Sequence, residues 1–252
     1  VRYKTDALGF LLYAALPLDQ LMRTAPPHPN FNQLLRTIER AEYQKIQSEL
    51  HEVQLAFGEV LYDVGDPITH VYFPGGALIS LLTQVDTHSA LEVGMVGPEG
   101  LLGTALALGS HTSPFKALVQ GAGTAMRMGA APFAKAMRQC PSLQQGVLLY
   151  TQSLMTQIAQ TAACNRFHPI EMRLARWLLM TRDRVGSNHF HLTQDFLGNM
   201  LGVRREGVTV SAHALKTRHL IEYSRGHIEI VDGHGLEVVA CSCYHKLLSR
   251  HA

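Results

Sequence analysis

The sequence predicts an α+β chain: an N-terminal antiparallel β-barrel, a long helix and a C-terminal winged helix-turn-helix. Three observations carry that reading. Short apolar runs separated by Gly-containing turns recur from Val53 to Met128, as in a small antiparallel barrel or sandwich. An apolar stripe at spacings of three and four residues follows from Phe133 to Thr161. Two short amphipathic segments then flank Gly202, and two alternating runs flank Arg225-Gly226.

Element by element, the spacing predicts a helix from Phe31 to about Leu50, built on Leu34, Leu35, Ile38, Tyr43 and Ile46. Strands are expected at 53–62, 69–73, 78–82, 90–96, 117–120 and 124–128, with turns at Val64-Gly65-Asp66-Pro67 and Pro74-Gly75-Gly76. Residues 31–131 therefore read as the barrel domain, 132–167 as a long helix with a hinge, and 168–252 as the last domain. A stripe of Leu143, Val147, Tyr150, Leu154, Ile158 and Thr161 is longer than a small barrel can cover, so it is expected to form a dimer seam. Pro169 disfavours helical geometry at His168 and places the hinge within Asn165–Pro169. Residues 1–30 read as an extension and linker. Arg2 and Lys4 before the apolar run at 7–16 imitate a signal peptide, but that run is too short to span a bilayer and reads better as an amphipathic helix.

The last domain carries the chemistry. Thr193 is an N-cap residue before the periodic Phe196, Leu197, Met200 and Leu201. Beyond Gly202, apolar Val203, Val208, Ala212 and Leu215 leave Arg204, Arg205, Glu206, Thr209 and His213 on or near the opposite face. An Arg-Arg-Glu start on the second helix fits the major groove, where Arg pairs with guanine and Glu accepts from cytosine. The hairpin signature at 220–231 immediately after it is the order of a winged helix.

Charge and cysteine usage agree with that reading. Residues 30–165 hold seven Lys/Arg against ten Asp/Glu, and residues 166–227 hold ten against five, so the basic excess sits on the helix-turn-helix. Four cysteines (Cys140, Cys164, Cys241, Cys243) make no disulfide framework, and Cys241-Ser242-Cys243 lacks the second close pair of a structural zinc site, so reduced thiols and no metal are expected. Fourteen histidines follow no metalloprotease or deaminase spacing, and there is neither a nucleophile elbow nor a phosphate-binding glycine loop. No catalytic residue is predicted.

Barrel, long helix, hinge and winged helix in that order resemble the Crp/Fnr superfamily of bacterial transcription regulators. The resemblance spans roughly residues 31–244. It is most specific at 58–73, which look like the family's opening strands, at Val96–Gly103, similar to its effector-cassette loop, and at Gly198, Gly202, Arg205, Glu206 and Val208. It implies a jelly-roll barrel of the cyclic-nucleotide-binding type, homodimerisation, double-stranded DNA as ligand, RNA polymerase as partner, and a cytoplasmic location with no membrane role. It also implies that Arg205 and Glu206 read bases and that Thr209 or Val210 meets a thymine methyl or a phosphate. Arg204, with Thr193 or Gln194, then touches phosphate, and His213 reaches backbone. Lys216 and Arg218 are weaker candidates.

The effector region departs from the family pattern. Gly97, Glu99, Gly100 and Leu101 match the cassette, but the stretch Gly109–Lys116 has no Arg where cyclic-nucleotide binders place one beside Ser or Thr. Ser113 remains, with Lys116 as a possible substitute charge. Without a guanidinium the cyclic phosphate loses a bidentate, charge-assisted pair, which argues against cyclic AMP and leaves the effector, if any, unassigned. An N-terminal iron–sulfur cluster is excluded because no Cys precedes Cys140. No pattern selects His70, His88 or His111 as a haem ligand. No cofactor is predicted.

Overall fold

The computed structural model describes residues 32–84 and 90–248. The extension at 1–30 and His88 lie outside the described residues.

Two short helices, α1 (Gln33–Arg36) and α2 (Arg40–Ile46), stand in place of the single helix expected up to Leu50, and a 3-10 turn follows at Gln47–Glu49. The buried Asn32 fixes this segment to the barrel. Its Oδ1 accepts from the Leu35 N–H to cap α1, and its Nδ2 donates to the carbonyls of Pro74 (2.9 Å) and Gly100 (2.7 Å).

Seven strands come next: β1 (His51–Leu55), β2 (Val60–Tyr62), β3 (His70–Pro74), β4 (Leu78–Gln84), β5 (Ala90–Val96), β6 (Lys116–Gly121) and β7 (Gly123–Gly129). A short helix, α3 (Thr104–Ala107), lies between β5 and β6. The strands form two antiparallel sheets, ordered β1-β7-β3 and β2-β6-β4-β5, so the expected barrel is realised as two sheets around one core. The run Leu78-Ile79-Ser80-Leu81-Leu82 explains how the barrel meets the rest of the chain. Ile79 and Leu81 point into the barrel core with Phe73, Val119 and Met128. Leu78 and Leu82, one pleat away, belong to a second core with Trp177, Leu178 and Leu215. A strand buried on both faces reads as a continuous apolar run.

The long helix expected over 132–167 is two helices, α4 (Ala130–Gln139) and α5 (Pro141–Phe167). Cys140 leaves the helical region (φ −126, ψ 87) because Pro141 disfavours it there, and Pro141 then occupies the first turn of α5 where no N–H is required. The dimer-seam stripe is also corrected. Leu143, Val147, Tyr150 and Leu154 are buried in the barrel core of their own chain, with Ile158 packed against it and Thr161 buried. The sheets and α1 cover more of α5 than a small barrel was expected to cover. Helix α5 exposes four large apolar side chains, Leu148, Leu149 and Met155 along its length and Phe167 at its end.

Helix α5 runs through the start of the expected hinge and ends at His168-Pro169, where His168 is extended (φ −112, ψ 142). Helix α6 (Ile170–Val185) packs its Leu174, Trp177, Leu178 face on β4. Then come β8 (His189–His191), α7 (Gln194–Leu201), α8 (Arg205–Thr217), the hairpin β9 (Ile221–Ser224) and β10 (His227–Ile230), α9 (Gly233–Val239) and α10 (Cys243–Leu248). Arg225 and Gly226 both have positive φ (49 and 83), as a two-residue type I′ hairpin requires, and Ser224 pairs with His227 across it. Among the described residues no helix is long and apolar enough to cross a membrane.

Candidate nucleic-acid interface

Helices α7 and α8 are held in a fixed elbow. Thr193 caps α7, its Oγ1 accepting from the Phe196 N–H at 3.1 Å. Gly202 ends α7 in the left-handed region (φ 61), and a Cβ on Gly198 would stand 2.9 Å from the Val203 carbonyl, so the turn backbone rests directly on α7. From α6 the buried Arg173 donates to the Leu201 carbonyl at the end of α7. Val208, Ser211, Ala212 and Leu215 turn the other side of α8 inward.

This leaves Arg205, Glu206, Thr209, Val210 and His213 exposed on one face of α8, with Arg204 exposed at its N-cap. Spacings of three and four residues put them on one stripe. The Arg205 side chain is 62% accessible and Val210 70%, although Val210 is apolar. Gln194 Oε1 accepts from the Thr209 hydroxyl at 2.8 Å, which locks the start of α7 to the middle of α8. Arg205 lies 3.7 Å from Asp195, a partner that sequence reasoning missed; so wide and exposed a pair orients the guanidinium without consuming it. The eight residues expected to meet DNA are thus brought together. Lys216 and Arg218 are not part of this face: they pair with Glu222 (2.7 Å) and Glu171 (2.9 Å).

Of the expected effector residues only Leu101 and Ser113 line a common space, and the charged ones are paired elsewhere. Glu99 pairs with Arg184 of α6 at 2.8 Å, both about nine-tenths buried, and so joins the cassette loop to the helix-turn-helix half of the molecule. Lys116 reaches outward to Asp63 at 3.3 Å, and the Ser113 hydroxyl donates to the Phe115 carbonyl. Gly97 abuts Arg184, and Gly100 is covered by the Tyr150 ring. Leu101 is fully buried. The space inside the barrel among Tyr62, Leu81, Leu101, Ser113 and Phe115 amounts to about 20 Å³, room for about one water and far too little for a small-molecule effector. His70 lies at the start of β3, 3.0 Å from Thr69 Oγ1, and His111 is exposed after α3; neither lines that space.

A buried polar chain crosses from the barrel to α6. Trp177 Nε1 donates to Glu92 at 2.8 Å, and Gln120 Nε2 donates to Thr181 Oγ1 at 3.1 Å. The Ser80 hydroxyl sits 2.6 Å from Glu92 Oε2 and 2.5 Å from Gln120 Oε1. Its one proton serves only one of these acceptors at a time, so the carboxylate is incompletely satisfied as an anion. Burial accordingly pushes the Glu92 carboxyl up to about 7, against the hydrogen bonds from Ser80 and Trp177 and the charges of Arg176 and Arg184.

An exposed Arg-Glu face on the second helix of a winged helix-turn-helix is the arrangement that such modules insert into the major groove. Residues 172–239 match the Crp-like helix-turn-helix domain, and the chain has the Crp/Fnr-type transcription regulator fold built around it. Among solved structures it is similar to a putative Crp/Fnr-family transcriptional regulator from Eubacterium rectale (TM-score 0.66, 16% identity, covering 83% of this chain and 98% of that one). It is also similar to FixK2 from Bradyrhizobium japonicum (0.65, 14%, 77% and 98%) and to a CRP-family transcriptional regulator from Thermus thermophilus (0.63, 18%, 75% and 96%). No curated protein matches the chain.

Proposed function

We propose that the protein is a non-enzymatic, cytoplasmic transcription regulator that reads a pseudo-palindromic operator as a homodimer, with RNA polymerase as its partner at the promoter. The observation that carries this reading is the open α8 face, on which Arg205 and Glu206 stand free of the core. Arg205 reads guanine, Glu206 accepts from cytosine, and Val210 meets a thymine methyl. Arg204, Thr193, Gln194, Thr209 and His213 border the face and meet the backbone. The second copy docks on the outer face of α5. That face exposes Leu148, Leu149 and Met155, and residues 141–165 contain no charged side chain, the composition of a helix that meets another protein rather than water. Control is by a ligand other than cyclic AMP or by none. The filled barrel and the prior pairing of Glu99 and Lys116 support this.

Selection of duplexes by the full chain from a randomised pool tests it. Two-fold dimers place recognition helices about 34 Å apart, so the enriched site should be an inverted repeat with half-sites one turn apart. Affinity should fall with salt at about 0.9 log units per log unit for each phosphate contacted. A site without two-fold symmetry, or a flat salt response, refutes the proposal. Met155→Glu should give monomers in light scattering.

A further inference from the structure

At the hinge, four side chains with metal-ligating atoms meet, none of them a residue of the proposed DNA-reading face. Cys164 on the last turns of α5, His168 at the hinge, Cys241 before α10 and Cys243 at its first residue place three sulfurs and one ring nitrogen within 4.8 Å of one another. Cys164 Sγ lies 3.4 Å from Cys241 Sγ, and Cys243 Sγ lies 3.6 Å from His168 Nδ1. All three thiols are buried. The close pair missing around Cys241-Ser242-Cys243 is therefore supplied from more than seventy residues earlier, by a Cys and a His one helical turn apart.

We propose that Cys164, His168, Cys241 and Cys243 form a tetrahedral site for a divalent metal of the zinc class, tying the end of α5 to the C-terminal helix. Zinc–sulfur bonds of about 2.3 Å and zinc–nitrogen bonds of about 2.0 Å set ligand separations of about 3.5–3.8 Å. The two measured edges already match to within a few tenths, and the widest must contract by about 1 Å.

Two further features favour a metal over a loose group of thiols. Binding displaces one proton from each of three thiols, so a dication with three thiolates and a neutral imidazole carries a net charge of −1. Arg176 of α6 is 4% exposed, its Nε and Nη1 have no hydrogen-bond partner among the described residues, and its charge acts on both Cys164 and Cys241. Leaving two buried guanidinium nitrogens without acceptors is costly, and a nearby anionic metal–thiolate group offsets that cost. Gln160 Nε2 also donates to Cys243 Sγ at 3.0 Å, the outer hydrogen bond typical of a ligating thiolate.

The test uses the untagged full chain purified under reductant. Elemental analysis should find one zinc per chain. After removal of the metal, cobalt(II) should titrate to one equivalent with thiolate-to-cobalt charge-transfer bands and the intense d–d bands of a tetrahedral site. Cys243→Ser should weaken cobalt binding by more than the about 10–100-fold expected for loss of an outer partner, whereas Cys140→Ser, which removes a thiol outside the group, should leave it unchanged. The cobalt spectrum of the unaltered chain decides the matter even where a variant misfolds. A pale six-coordinate spectrum, substoichiometric metal, equal loss in Cys140→Ser, or a Cys164–Cys241 disulfide in a chain that takes up no cobalt overturns the proposal.

Discussion

The cassette loop and the recognition helix each present charged residues in a pattern that suggests a ligand, and the chain treats them in opposite ways. Glu99 is committed to Arg184 and buried, whereas Arg205 keeps only a wide contact to Asp195 and remains 62% accessible. Lys116 turns away from the barrel to Asp63. A residue pattern therefore marks a binding face only where the fold leaves its polar atoms unspent. By that measure the molecule is open at α8 and closed inside the barrel.

The contrast can be attacked from its closed side first. If the barrel around Leu101 is packed core rather than a ligand site, Leu101→Ala should cost about 2–5 kcal/mol in urea unfolding, the range for truncating a fully buried leucine. A loss below about 1 kcal/mol would restore the barrel interior as a ligand site. The polar chain behind it predicts a pH effect. Because the Glu92 carboxyl is raised to about 7 in the fold, the native state holds a proton that the unfolded chain releases. Its contribution is full below the ordinary carboxylate value of about 4.5 and is lost as pH rises through about 7, a change on the order of 3 kcal/mol. Unfolding free energy measured from pH 5 to 8 should fall accordingly, and Glu92→Gln should flatten the profile; an unchanged slope in that variant places the titration elsewhere.

On the open side, Arg205→Ala should weaken cognate DNA by about 1–3 kcal/mol and relax choice at one base pair in a competition titration. Undiminished discrimination would remove Arg205 from the readout. The smallest effect belongs to Lys116→Ala. An exposed ion pair with Asp63 is worth less than about 1 kcal/mol, so thermal stability should barely move. A large drop would give Lys116 a role the geometry denies it.

The parts legible in the sequence are those decided by neighbours along the chain. Gly202 and Arg225-Gly226 announce their turns because positive φ is a local requirement, and the period of Val208, Ala212 and Leu215 orients α8 without help from elsewhere. Residues Leu143 to Leu154 show the limit. Their spacing says that one face of α5 is buried, but not whether the barrel or a second copy buries it. The break at Cys140 is signalled by Pro141, a cue masked by the apolar stripe that continues across it. Arg184 as the partner of Glu99, 85 positions away, left no local trace beyond a basic residue in the last turn of α6.

The shared core beneath β4 bears on how the molecule can be taken apart. A fragment beginning at Pro169 would bare Trp177, Leu174 and Leu178, and would strip the Trp177 indole of its acceptor on Glu92 and Arg184 of its carboxylate. Such a piece retains every residue of the proposed DNA-reading face yet carries an adhesive apolar flank, so it should be recovered in aggregates rather than as a working miniature of the whole.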